Sequence, residues 1–213
     1  MSDLAATLGG MTRIALYHSV LGIRSGITEA ADRFRGAGHD VLMVDQYDGR
    51  SFDDYEQANR FASGLGFPFA LMKSALAAVA DERGPLVVAG FSNGAGMAEY
   101  VAAARGGRAG GVLGSLQFSG ALPIEMLGLA SWPADTPVQL HYATGDPMRS
   151  DEWITPFVES VRAAGAECET FLDYAGGHLF TDSSRPEEFD EQSAATAFEL
   201  ALEFLDHLDR ESG

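Results

Sequence analysis

Three side chains in this sequence have the types, order and surroundings that nucleophilic catalysis requires: Ser92, Asp146 and His178. Ser92 is the centre of Gly90-Phe91-Ser92-Asn93-Gly94, a G-x-S-x-G pentapeptide. The apolar run Pro85-Leu86-Val87-Val88-Ala89 precedes it, and Ala95-Gly96-Met97-Ala98-Glu99-Tyr100-Val101-Ala102-Ala103-Ala104-Arg105, which reads as a helix, follows. A serine on a tight turn between strand and helix carries an exposed hydroxyl at the carboxyl edge of a sheet. The flanking glycines let strand and helix approach without a Cβ clash. The next backbone N–H, on Asn93, points to where a negative oxygen would develop. Outside such a setting the pentapeptide is only a glycine-rich turn.

A serine hydroxyl needs a base to take its proton, and the base needs an acid to orient it. The chain has five histidines. His178, in Tyr174-Ala175-Gly176-Gly177-His178-Leu179-Phe180, follows a strand-like run and precedes the last helical stretch. Loops at carboxyl strand ends are where an open parallel sheet gathers its chemistry. His18 also follows a strand and is the rival base. His39 in a turn and His207 in the terminal helix read as surface residues, and His141, inside a strand, as a core or sheet-face residue. The acid falls between serine and histidine in this arrangement. Asp146, in Ala143-Thr144-Gly145-Asp146-Pro147, meets that order, although Gly-Asp-Pro is ordinary turn chemistry too. Asp151 and Asp173 are the alternatives.

The elements that must position these groups alternate in type. Apolar runs predict strands over residues 14–17, 41–44, 86–91, 112–118, 138–143 and 167–174. Helical patterns cover 28–36, 154–164 and 193–208, besides the helix after Ser92. Residues 57–81 are helical material broken by Gly64, Gly66 and Pro68. Strands separated by helices imply an α/β fold with a mostly parallel, doubly wound sheet and helices on both faces. One compact domain over 1–213 is the expectation, with no large cap insertion.

Composition narrows the partners. Fourteen Lys and Arg against 31 Asp and Glu give a net charge of −17. A field of that sign repels nucleic-acid backbones and anionic membranes. No apolar stretch approaches the length of a membrane span. The N-terminus lacks the basic start and long apolar run of a signal peptide. The one cysteine, Cys168, has no internal partner and reads as a buried, inert thiol. These features lead to the expectation of a cytoplasmic protein.

The separated motifs together resemble the dienelactone hydrolase family of α/β-hydrolases over nearly the whole length. The likeness rests on His18-Ser19-Val20-Leu21-Gly22, Val44-Asp45-Gln46-Tyr47, the Ser92 pentapeptide, Gly145-Asp146 and Gly177-His178-Leu179-Phe180. It implies Ser92, Asp146 and His178 as the triad, and the backbone N–H groups of Val20 and Asn93 as oxyanion donors. Three departures stand out. The best-known members have a cysteine where this chain has Ser92, a glutamate where it has Ser19, and a carboxylate-binding arginine where it has Asp182. These changes argue against dienelactone itself as substrate.

The implied reaction is acyl transfer from a small to medium, neutral carboxylic ester, thioester or lactone to water, with neither metal nor organic cofactor. Tyr47, Phe52, Tyr55, residues 126–132 including Trp132, Met148 and Trp153 are the candidate pocket residues, against the alternative that they pack the core. Asp182 either reads substrate charge or is a solvent-facing loop residue. A non-catalytic ligand-binding protein of the same fold, or a hydrolase of C–C or peptide bonds, are the competing readings. Oligomeric state is not legible.

Overall fold

In a computed structural model, which describes residues 12–212, six parallel strands form one sheet. In chain order the elements are β1 (Arg13–Tyr17), α1 (Ser25–Gly36), β2 (Asp40–Val44), α2 (Tyr55–Gly64), α3 (Phe69–Ala78), β3 (Leu86–Phe91) and α4 (Asn93–Arg105). They continue with β4 (Val112–Phe118), β5 (Val138–Ala143), α5 (Asp151–Ala163), β6 (Cys168–Tyr174) and α6 (Glu191–Ser212). The strand order is β2-β1-β3-β4-β5-β6. The chain leaves β1 in one direction and β3 in the other. Right-handed crossovers therefore put α1 on one face and α4 on the opposite face. The point between β1 and β3 is where a crevice opens at the carboxyl ends of the strands.

The strands follow from their composition. Every residue of β3, β4 and β5 is buried, as continuous apolar runs covered on both faces must be. The helix α6 lies against β4 so closely that a Cβ on Gly114 would meet Leu208 and Phe204. The same helix meets α1 through Phe34 and Phe198, whose rings are 5.9 Å apart. The two edge strands, β2 and β6, are only partly buried. Arginines take one carbonyl of β2 and two of β6: Arg35 donates to Val41 O (3.0 Å), Arg149 to Leu172 O (2.6 Å) and Arg162 to Cys168 O (3.1 Å).

Several sequence boundaries shift. Helix α5 starts at Asp151 rather than 154, because extended Ser150 is followed by two acids in the first turn, a start signal that apolar spacing ignores. Helix α1 also starts three residues early, at Ser25. His39 is not a surface residue: it is buried, with Nδ1 3.8 Å from the Asp209 carboxylate of α6. Cys168 is only partly buried, and burial raises its thiol to about 11. The N-terminal stretch considered for a signal peptide lies, as far as residue 11, outside the described residues.

His141 is fully buried in β5 between aromatic rings, stacked on Phe118 at 4.8 Å and Phe171 at 5.3 Å. Its Nε2–H donates to Gln139 Oε1 (2.9 Å), and its Nδ1 accepts from the Tyr174 hydroxyl (3.1 Å). A neutral ring satisfies both contacts, and burial lowers its pKa from 6.5 to about 3. Below about 6.5 the unfolded chain binds a proton that the folded chain refuses, so stability must fall with falling pH until about 3 is reached. Urea midpoints at pH 7 and pH 5 should show this loss. Replacing His141 with Phe should reduce the difference between them; an unchanged difference would assign the acid sensitivity elsewhere.

Candidate active site

The pentapeptide forms the link between β3 and α4. Ser92 sits in an unusual backbone conformation, φ 56° and ψ −122°, a strain that persists only where the surroundings enforce it. Here the enforcement is backbone against backbone. A Cβ on Gly90 would overlap the Gly94 carbonyl. A Cβ on Gly94 would overlap the carbonyl oxygens of Tyr17 and His18 at the end of β1. From the other side, a Cβ on Gly120, just after β4, would overlap the Ser92 carbonyl. The Ser92 N–H donates to Phe118 O at 2.8 Å, which ties the turn to β4.

The hydroxyl meets the other two predicted groups. His178 Nε2 is 2.7 Å from Ser92 Oγ. His178 Nδ1 is 2.9 Å from both carboxylate oxygens of Asp146. Asp146 is itself oriented by the Met148 N–H, 2.8 Å from Oδ1. Both Asp146 and His178 are buried. The alternatives Asp151 and Asp173 lie elsewhere: Asp151 opens α5 and pairs with Arg149, and Asp173 is in β6. This linear Ser–His–Asp arrangement can remove a proton from the hydroxyl and hold the imidazolium that results. Asn93 is the first residue of α4, so its N–H has no intrahelical partner and lies at the positive end of the helix. Val20 is buried in the loop after β1, two residues beyond the His18 carbonyl that abuts Gly94.

His18, the rival base, serves that loop instead. Its Nδ1–H donates to Ser19 O (2.7 Å), and its Nε2 accepts from the Gln46 N–H (3.2 Å). Burial lowers its pKa, so the ring is held neutral with both nitrogens occupied.

The loop carrying His178 is pinned from outside by Glu188, which no sequence motif marks. Glu188 accepts from the Leu179 N–H (2.7 Å), the Arg185 guanidinium (2.6 Å) and the Tyr55 hydroxyl (2.9 Å). Its own carbonyl takes the Gly177 N–H at 2.8 Å. The Tyr55 ring stands edge-on to His178, centroids 6.1 Å apart, with the Arg185 guanidinium over it at 4.8 Å.

A cleft of about 310 Å³ opens beside Ser92. Met148 and Trp153 line it, as expected. The other expected residues do not: Tyr47, Phe52, Tyr55, residues 126–132 with Trp132, and Asp182 all lie outside its lining. Tyr47 is buried in a second layer, ringed by His18, Phe52 and Phe61, with its hydroxyl turned to the Asn93 side chain. Trp132 is a core residue: it packs edge-on against Phe157 at 5.5 Å and donates Nε1–H to Thr136 O. Asp182 is buried, not solvent-facing, and lies outside the cleft. Its Oδ1 takes the Ser184 N–H (2.9 Å) and hydroxyl (2.6 Å), and a Cβ on Gly26 would overlap it. The walls that the sequence does not single out come from Phe67 and Pro68 between α2 and α3, and from residues 119–122 after β4. The rule that carboxyl strand ends gather the site points to the second group. Among the described residues that line the cleft, none is Arg, Lys, Asp or Glu. No group of His, Cys, Asp and Glu among the described residues could hold a metal ion.

The dienelactone hydrolase family model matches residues 11–208. The chain belongs to the dienelactone hydrolase family. Solved structures agree on the fold. A dienelactone hydrolase-like promiscuous phosphotriesterase from metagenomic libraries superposes with a TM-score of 0.78 at 20% identity, over 92% of this chain and 86% of that one. A putative dienelactone hydrolase from Klebsiella pneumoniae gives 0.71 at 17%, over 92% and 87%. The Bacillus cereus carboxylesterase gives 0.59 at 17%, over 93% and 89%. No curated protein matches significantly. The chain is thus an α/β-hydrolase of this family, with Ser92 where the best-known members carry cysteine.

Removing the Glu188 carboxylate leaves the Leu179 N–H and the Tyr55 hydroxyl without their acceptor in a largely buried place, and takes one of its partners from Arg185, which keeps Glu187 and the Asp53 carbonyl. Glu188→Ala should therefore lower stability by about 2–4 kcal/mol in urea titrations. Exchange of the Leu179 amide should accelerate well beyond that global loss. An amide as protected as in the parent protein would show that the loop is held by other contacts.

Proposed function

We propose that this protein is a serine hydrolase that cleaves a neutral, largely apolar carboxylic ester, thioester or lactone through an acyl-enzyme on Ser92. The observation that carries this reading is the hydrogen-bonded series Ser92–His178–Asp146 at a strained turn, open to an apolar cleft. In the proposed mechanism His178 Nε2 takes the Ser92 proton as Oγ attacks the carbonyl carbon. The tetrahedral oxyanion is received by the Asn93 and Val20 N–H groups. His178 then donates the proton to the leaving oxygen or sulfur, and the alcohol or thiol departs. Water enters, gives its proton to His178 and attacks the acyl carbon. The second oxyanion collapses, Ser92 recovers its proton and the acid is released. Asp146 keeps the imidazole in one tautomer and stabilises its cationic form.

The lining supports this substrate class. Phe67, Met97, Leu122, Met148 and Trp153 offer an apolar bed, and no lining guanidinium is available to a substrate carboxylate. A carboxylesterase among the proteins that share the fold is consistent with this direction.

Ser92→Ala should reduce turnover of p-nitrophenyl esters by at least about 10³-fold without loss of fold. A fluorophosphonate should label Ser92, read by peptide mass. His178→Ala should be comparably damaging, and Asp146→Asn no more so. Ester turnover that survives in Ser92→Ala would remove the nucleophile from this reading.

The place of Asp182 has its own consequence for substrate charge. Asp182→Asn should leave the ratio of kcat/KM between a neutral ester and its anionic counterpart unchanged within about twofold, because the carboxylate is committed to its own turn. A ratio that moves strongly toward the anionic ester would return Asp182 to the substrate.

A further inference from the structure

Glu99 is a fully buried acid in the middle of α4, seven residues after Ser92, and the mechanism above does not use it. A carboxyl group in that position is costly unless it has a hydrogen-bonding task. Its task is visible. Both carboxyl oxygens lie 3.1 Å from the N–H of Leu122. Leu122 belongs to the segment of residues 119–122 that walls the cleft. Glu99 and Gly96 are three residues apart on α4 and therefore share a face. Gly96 admits the Leu122 side chain: a Cβ there would lie 2.8 Å from Leu122 Cδ1. One helical face thus receives both the side chain and the backbone of the same wall residue.

The far end of the same segment touches the nucleophile. Ser119 has φ 54°, and Gly120 is packed on the Ser92 carbonyl. Tyr142, a further lining residue, has its phenol pKa raised by burial first and by its neighbour Glu99 second. Burial raises the Glu99 pKa well above 4.5, which fits a group retained as a hydrogen-bonding partner rather than as a charge.

Resting on the reading of Ser92 as the nucleophile beside an ester cleft, we propose that Glu99 is a positioning residue: through the Leu122 N–H it holds residues 119–122 in place and so sets the cleft's fit to the longer acyl chains. It does not touch the reacting atoms. Short esters, which need little of this wall, should depend on it little.

The test compares Glu99→Met, which keeps the volume and removes the acceptor, with Glu99→Gln, which keeps an acceptor oxygen. For p-nitrophenyl hexanoate, Glu99→Met should lower kcat/KM about tenfold, chiefly through KM, with p-nitrophenyl acetate within about twofold of the parent. Glu99→Gln should restore the hexanoate value to within about threefold. Equal losses on both esters, or a Gln variant as impaired as Met, would overturn the proposal. A turnover-independent arm separates its failure from that of the hydrolase reading. On a Ser92→Ala background, N-butylhexanamide is titrated against the fluorescence of Trp153, which lines the cleft. Glu99→Met should weaken its Kd at least about fivefold and Glu99→Gln by less than about twofold. Identical affinities would overturn the proposal whether or not any ester is hydrolysed. Should the Met variant fail to fold, hydrogen exchange of the Leu122 amide in the parent protein decides. Strong protection supports the proposal, and exchange at the rate of an exposed loop amide refutes it.

Discussion

Three backbone segments meet at one serine, and the distance between them is set by the absence of side chains. Gly90 and Gly94 bring the end of β3, the start of α4 and the end of β1 into direct contact, and Gly120 brings the segment after β4 against the Ser92 carbonyl. A methyl group at any of these positions would collide with main chain, which has no rotamer with which to yield. The strained Ser92 backbone is tolerable because these neighbours leave it no relaxed alternative. Everything else in the site is measured from this crossing. The Asn93 N–H has no partner within the helix because the helix begins there, and the Ser92 hydroxyl stands clear of the sheet because the turn is so sharp.

The histidine and the acid are held by different means. Their loops leave the ends of β5 and β6, where regular hydrogen bonding has ceased. Gly145 and Gly176 let the two loops pack on one another: a Cβ on Gly145 would lie 2.7 Å from Gly176 O. Beyond that contact the order is imposed by polar side chains, with Glu188, Arg185 and Tyr55 forming a brace behind His178. The serine side of the site is therefore fixed by steric exclusion, and the histidine side by charge-assisted hydrogen bonds. Denaturants, salt and pH should act on the two sides unequally.

Much of this was legible in the sequence because local rules and the global arrangement agree. The six strands, their parallel direction and the Ser92–Asp146–His178 contacts follow from alternating apolar runs, a glycine-flanked serine and loops at carboxyl strand ends. What was not legible depends on burial. Tyr47 and Trp132 are aromatic residues in loops, and nothing in a loop's composition distinguishes a ring that faces a cleft from one that faces the core. Asp182 stands where the family resemblance implies a substrate-reading arginine, but its carboxylate closes a local turn with Ser184. Glu188 and Glu99 escaped notice because one acid among 31 carries no mark of being buried. Only the fold shows which acids have given up water for a backbone N–H.

The basic residues are as unequal as the acidic ones are numerous: thirteen arginines and one lysine. Arg35, Arg149 and Arg162 each commit a donor to a carbonyl along an outer strand. A bare strand of this kind is a template on which another extended chain can assemble, and sheets that grow this way end as fibrils. The guanidinium forks occupy the docking row while keeping their charge beside it, and their planar, multi-donor geometry suits them to reach a carbonyl in a way that a lysine ammonium does not. Both sides of the sheet are thereby guarded by chemistry rather than by length, and a strongly acidic protein places three of its scarce cations where its sheet could grow.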